Sequence, residues 1–158
     1  MALAEKSKAP AFTASTDGDG VFSLKQAKGQ WLVLYFYPKD DTSGCTAQAC
    51  DFRDSMARIS SAGAMVVGVS PDGVKSHNKF KTKYDLPFAL VSDEDHTICE
   101  AYDTWKEKSM YGRKYMGVER TTYIIDPKGV IRKTFEKVSV KGHVDAVIAE
   151  LAQLGATV

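Results

Sequence analysis

Two of the three cysteines stand close together in the segment Cys45-Thr46-Ala47-Gln48-Ala49-Cys50. Thiolate, not thiol, is the attacking species, so the setting of Cys45 is the first question. It comes after a polar stretch, Pro38 to Gly44. It also opens a run in which Cys45, Ala49, Phe52, Met56 and Ile59 recur at intervals of 4, 3, 4 and 3. That spacing is one face of a helix, and it puts Cys45 in the first turn. Unpaired backbone N–H groups and the positive end of the macrodipole there favour thiolate over thiol. Thr42 or Ser43 can cap the turn, and Gly44 lets other groups approach closely. Position alone does not decide, because a cysteine on an apolar helix stripe also serves as a small hydrophobe.

Cys50 tilts the balance toward redox chemistry. On an ideal helix, residues five apart point about 140° away from each other, with Cα atoms about 8–9 Å apart. A disulfide closes without backbone movement only within about 7 Å. The pair is therefore no static bridge on an intact helix. It can be a redox couple if the first turns unwind, with a sulfenic acid on Cys45 condensing with the Cys50 thiol. Metal binding has less support: no second close pair of Cys or His is present downstream, and His77, His96 and His143 are dispersed. His77 shares the Val74/Phe80/Tyr84 side of its helix and reads as a packed or surface residue. His143, near the start of the last helix, fits an ordinary charge or capping role, and Cys99, beside Ile98 and a turn before Tyr102, fits the core.

The elements that must hold these residues are legible along the chain. Residues 1–10 read as an extended lead-in ending at Pro10. Phe12 to Leu24 reads as a hairpin turning at Asp17-Gly18-Asp19-Gly20. The apolar run Trp31 to Tyr37, stopping at Pro38, suggests a strand buried on both faces. The Cys45 helix then runs to Gly63. Ala64 to Val69 is a second buried strand, Val74 to Tyr84 a helix, Phe88 to Val91 a short strand and Asp93 to Tyr102 a short helix. A Gly- and Tyr-rich loop extends through Val118. Thr121 to Ile125 and Val130 to Phe135 flank Asp126-Pro127-Lys128-Gly129, a strong hairpin signal. Val144, Val147, Ile148, Leu151 and Leu154 stripe a final helix. Crossovers give parallel strands and hairpins antiparallel ones, so the expected fold is α/β with a mixed sheet.

A chain of 158 residues with 44% hydrophobic and 26% charged residues is expected to form one domain, residues 1–158. A net charge of +1 supports no nucleic-acid partner, and the mild run Lys75 to Lys83 reads as a solvated helix face. No apolar stretch approaches the roughly 18 residues that span a bilayer. Met1 to Lys8 lacks the apolar core of a secretory signal. An odd number of cysteines does not make a disulfide framework, so a cytoplasmic location is expected, where thiols stay reduced unless catalytic or redox-sensing.

The segment Phe36-Tyr37-Pro38-Lys39-Asp40-Asp41-Thr42-Ser43-Gly44-Cys45-Thr46 resembles the Pro-x3-Thr-x2-Cys signature of peroxiredoxins. With Cys50, Asp51, Phe52, Arg53 and Asp54 after it, the chain looks like the bacterioferritin-comigratory, or Q-type, branch. The similarity covers nearly the whole chain, including Val67–Pro71, Phe88–Asp93, Lys108–Gly112, Arg120–Asp126 and Val138–Gly142. It implies a thioredoxin fold: a mixed central sheet flanked by helices, with an N-terminal β-hairpin extension. It further implies that Cys45 is peroxidatic, that Thr42 hydrogen-bonds the peroxide, and that Pro38 shields the thiolate. Arg120 supports the thiolate, and Cys50 matches the resolving cysteine of members with a Cys-x4-Cys arrangement. Other members place that cysteine in the next helix, but Lys75 to Tyr84 contains none. Ser43 departs from the branch, which commonly has Pro there, and a change in loop stiffness is expected.

The implied protein is a thioredoxin-dependent, atypical two-cysteine peroxidase of hydrogen peroxide and organic hydroperoxides, with no cofactor or metal. Its implied partners are a hydroperoxide and a thioredoxin- or glutaredoxin-like reductant, and the branch is often monomeric. Three rivals remain. One is a one-cysteine peroxidase with Cys50 silent, and another a thiol–disulfide oxidoreductase, which would favour Cys-x-x-Cys. The third is a copper-binding thioredoxin-fold protein using both cysteines and a downstream His. Tyr37, Phe52, Trp105, Met110, Tyr111 and Tyr115 could line an apolar pocket or simply pack.

Overall fold

The computed structural model describes residues 2–155. A short antiparallel hairpin, β1 (Thr13–Ser15) and β2 (Val21–Ser23), leads in through a 3₁₀ turn at Asp17–Asp19. Strand β3 (Trp31–Phe36) is succeeded by α1 (Ser43–Asp54), α2 (Met56–Ser61) and β4 (Ala64–Ser70). Next come α3 (Val74–Tyr84), β5 (Ala89–Ser92) and α4 (Thr97–Ala101). The hairpins β6 (Trp105–Met110)/β7 (Arg113–Val118) and β8 (Thr121–Ile125)/β9 (Ile131–Phe135) precede α5 (His143–Gln153).

The central sheet has the order β5-β4-β3-β8-β9. β4 runs parallel to β3 and to β5, while β8 and β9 are antiparallel. Successive side chains of a strand face opposite ways, and β3 uses both faces for burial. Val33, Tyr35 and Tyr37 join a core with Phe52 of α1, Phe80 of α3 and Val147 of α5. Leu32, Leu34 and Phe36 join a second core with Phe22, Cys99 and Tyr102. Most of the expected elements therefore stand, α3 with its predicted bounds.

Three readings need correction. The single helix from Cys45 to Ile59 is two helices, broken at Ser55 (φ −105°, ψ 3°), although Ile59 stays on the buried face. The expected helix Asp93 to Tyr102 shortens to Thr97–Ala101. The loop through Val118 is largely the β6/β7 hairpin, paired from Trp105↔Val118 to Met110↔Arg113. Tyr111 and Gly112 turn it with φ of 51° and 77°, the left-handed pair that two-residue hairpin turns require. Its strands are mostly solvated, so no apolar alternation announced them.

Candidate active site

The sheet itself brings distant residues together. β3 pairs antiparallel with β8 in the register Phe36↔Thr121. The residue just before β8, Arg120, therefore lies beside the chain as it leaves β3. That part of the chain is the loop from Tyr37 to Thr42 and the first turn of α1. β4 ends at the same edge, Val69 opposite Phe36, and accepts a hydrogen bond from the Tyr37 backbone N–H at 3.0 Å. This is the carboxyl end of parallel strands, where open α/β sheets place their sites.

Cys45 is the third residue of α1 and is buried. Arg120 donates from Nη2 to its Sγ at 3.3 Å and from Nη1 to Gln48 Oε1 at 2.6 Å. One planar guanidinium thus bridges the thiol and a residue one turn further along the same helix, a two-donor geometry that lysine cannot copy. Gly44 eases the approach: a Cβ there would stand 3.2 Å from Arg120 Nη2, a tight contact. Sequence reasoning missed Gln48, which spacing could have flagged as sharing the Cys45 face three residues on. It is fully buried, and its Nε2 has no hydrogen-bond partner; neither has the buried Tyr35 hydroxyl. Lys108 of β6 also feels the site. Burial holds its ammonium below the usual lysine value, and the field of Arg120 acts in the same direction while Cys45 opposes.

Thr42 occupies the N-cap position, with extended φ/ψ, but its side chain does not cap the helix. Its hydroxyl donates to the Lys39 carbonyl at 2.9 Å instead, which corrects the capping role expected for it. The oxygen's lone pairs stay available on the exposed side. Pro38 ends β3's run half-buried at the base of the loop. Cys50 is half-buried on α1, and both thiols are free. α1 is continuous between them, so the ideal-helix separation of about 8–9 Å applies and a bridge requires unwinding.

The remaining candidates sort by burial. Tyr37 and Phe52 are core, while Met110, Tyr111 and Tyr115 lie exposed on the hairpin. Cys99 is core as expected, its thiol pushed up by burial and by the Asp93 carboxylate. His143 does not fill a charge role. It is buried against Phe52 and Phe135, with Nε2 2.8 Å from Thr122 Oγ1. Burial, with the Arg120 charge second, holds its ring near a pKa of about 4. Of the packed and surface readings for His77 the structure takes the first, but against a carboxylate: Nδ1 lies 2.7 Å from Asp40 Oδ2.

The AhpC/TSA family model matches residues 6–134. The chain belongs to the AhpC/TSA family, the peroxiredoxins. It is 50% identical over 151 residues to a putative peroxiredoxin of Coxiella burnetii, covering 96% of this chain and 100% of that protein. It is 46% identical to peroxiredoxin Bcp of Bacillus subtilis, covering 93% and 94%. Peroxiredoxin Q of Xanthomonas campestris superposes with a TM-score of 0.86 at 44% identity, over 90% of each chain. A trapped intermediate/ligand complex of the Xanthomonas campestris bacterioferritin comigratory protein, described for its alkyl peroxide reduction, superposes with a TM-score of 0.87 at 43% identity, over 90% and 91%. The fold is the thioredoxin fold of the Q-type branch, and the protein is a thiol peroxidase.

Proposed function

We propose that Cys45 is the peroxidatic thiol and Cys50 its resolving partner. The observation that carries this reading is the Arg120 guanidinium shared between Cys45 Sγ and Gln48 Oε1, on a helix whose residue five further on is a free cysteine. The Cys45 thiolate attacks the distal oxygen of ROOH. An S–O bond forms, the O–O bond breaks, and the departing alkoxide takes a proton to leave as ROH. Arg120 donates to the sulfur and is placed to stabilise charge as it moves onto the oxygens. Thr42, its hydroxyl hydrogen committed to the Lys39 carbonyl, is left to accept a hydrogen bond from the O–H of the incoming hydroperoxide and so orient it. Pro38 limits water at the loop base.

The sulfenic acid then meets the Cys50 thiol once the first turns of α1 unwind. The disulfide forms with loss of water, and a dithiol donor of thioredoxin or glutaredoxin type returns both thiols. Hydrogen peroxide and organic hydroperoxides are the proposed substrates. The proposed working form is one domain over residues 1–158, a monomer in the cytoplasm; no helix among the described residues is long and apolar enough to cross a membrane.

Intact-mass measurement after one equivalent of peroxide tests the scheme. Loss of two hydrogens is expected, replaced in Cys50→Ser by a sulfenic acid that dimedone traps. A Cys50→Ser enzyme that turns over normally with thioredoxin would make this a one-cysteine peroxidase, and a Cys45→Ser enzyme that keeps activity would remove the peroxidatic role.

A further inference from the structure

The loop that carries Pro38 and Thr42 is pinned from below by a buried polar cluster that the peroxide chemistry does not use. Asp40 is buried at the centre of it. Its Oδ1 accepts from the Tyr37 hydroxyl at 2.6 Å, and its Oδ2 accepts from Ser76 Oγ at 2.7 Å and faces His77 Nδ1 at 2.7 Å. The far nitrogen of the same ring, His77 Nε2, faces the Val91 carbonyl of β5 at 2.9 Å. The Asp40 backbone N–H donates to Asp72 Oδ2 at 2.8 Å, and Ser70 Oγ donates to that same oxygen at 2.8 Å.

Both ring nitrogens of His77 therefore point at acceptors. A neutral imidazole has one N–H and one lone pair, so in either tautomer it would set a lone pair against an oxygen inside a fully buried site. An imidazolium satisfies both contacts. The groups around the ring agree: the carboxylates of Asp40 and Asp72, the Ser76 hydroxyl, the Tyr37 ring and the Val91 carbonyl. The lysines further along α3, Lys81 and Lys83, are paired with Asp17 and Asp41. Burial alone would hold the ring below the ordinary imidazole value, but the hydrogen bond and charge of Asp40, with the Val91 carbonyl, raise it above.

We propose that His77 is a positioning residue of the peroxidatic centre, an imidazolium clamp that ties the active-site loop through Asp40 to β5 and so governs how readily the start of α1 unwinds. Its catalytic consequence rests on the proposed roles of Cys45 and Cys50. The clamp itself is a property of the reduced protein. A group whose pKa is raised on folding contributes fully below its unfolded value, and its contribution disappears as pH rises through the folded value. The loop is thus held firmly around the ordinary imidazole value and released as pH rises through the raised value of the His77 ring. Asp41 gives a second tether, to Lys83 at 2.8 Å and the Tyr84 hydroxyl at 2.7 Å. That one is exposed and screened by salt, whereas the buried clamp is not.

The reduced wild-type protein provides the first test, with no substitution and no peroxide. In nitrogen-resolved NMR, both His77 ring nitrogens should still carry protons at the ordinary imidazole value of about 6.5 and lose one only above it. Protection factors of the Asp40 and Thr46 amides should fall over that same titration and resist high salt. In His77→Asn they should fall on the order of ten- to a hundredfold, the scale of a lost charge-assisted hydrogen bond, with the β4 amides unchanged. A ring that loses its second proton at or below the ordinary imidazole value, unchanged loop protection, or an equal loss across β4 overturns the clamp. Rapid-quench mass measurement gives the catalytic arm. His77→Asn should oxidise Cys45 more slowly and close the disulfide faster, with the two proteins' closure rates converging at alkaline pH. Equal closure rates at every pH overturn the proposed consequence. A disulfide that forms in neither protein overturns the role of Cys50, while exchange and ring titration still decide the clamp.

Discussion

Replacing Arg120 by methionine removes two hydrogen bonds while keeping a side chain of similar reach. The first, 3.3 Å to Cys45 Sγ, supports negative sulfur and the charge that develops on the peroxide oxygens. Loss of one such donor in other enzymes costs about 10²–10³ in rate, or about 3–4 kcal/mol of barrier. The second, 2.6 Å to Gln48 Oε1, matters differently. Gln48 is fully buried and its Nε2 already lacks a partner, so methionine leaves both ends of the amide unpaired. An orphaned buried group costs about 1–3 kcal/mol, felt at the first turn of α1 as a looser thiol. The expected rate constant for Cys45 oxidation by hydrogen peroxide is therefore down by at least about 10². Arg120→Lys should fall between, because an ammonium keeps the charge but not the planar fork. Stopped-flow on a Cys50→Ser background isolates this first step, and thermal unfolding of the same proteins checks that they are folded. A folded Arg120→Met protein reacting as fast as its parent would refute the assignment of Arg120 to the reacting sulfur.

Gly44→Ala sets two effects against each other. Alanine improves helix propensity by about 1 kcal/mol, while its Cβ meets Arg120 Nη2 at 3.2 Å. Melting temperature should hold or rise while peroxide reactivity drops severalfold. Gly68 in β4 is a packing glycine: a Cβ there would stand 3.0 Å from Tyr35 Cζ and 3.1 Å from Leu90 Cδ2. Gly68→Ala should cost about 1–3 kcal/mol in denaturant unfolding by overpacking, with no direct effect on the thiols. His143 predicts an acid weakness. Its folded pKa of about 4 lies below the unfolded value near 6.5, so the unfolded chain binds its proton first. Stability is lost as pH falls from about 6.5 to about 4, by up to about 3 kcal/mol at about 1.4 per unit. Urea midpoints between pH 7 and pH 4 should fall less steeply in His143→Gln, and identical slopes would exclude this source.

What the sequence determined was local. The uninterrupted apolar run of β3, the bounds of α3, the Asp126–Gly129 turn and the place of Cys45 in a first helical turn all depend on neighbours within a few residues. So did the conclusion that Cys45 and Cys50 cannot bridge without unwinding, since helix geometry sets their separation. Where the local signal was weak, the reading failed. β6 and β7 present mostly solvated polar side chains, and nothing in the 3.6-residue pattern marks the break at Ser55. Arg120 entered only through resemblance. Its physical reason lies in strand order, because β3 beside antiparallel β8 brings residue 120 to the end of the strand that delivers residue 45. Gln48 as the second arm of that guanidinium, and His77 meeting Asp40 across 37 positions, have the same origin. Composition and spacing can place a nucleophile on a helix. Which charges and dipoles converge on it depends on pairings between segments far apart in the chain, which only the assembled sheet decides.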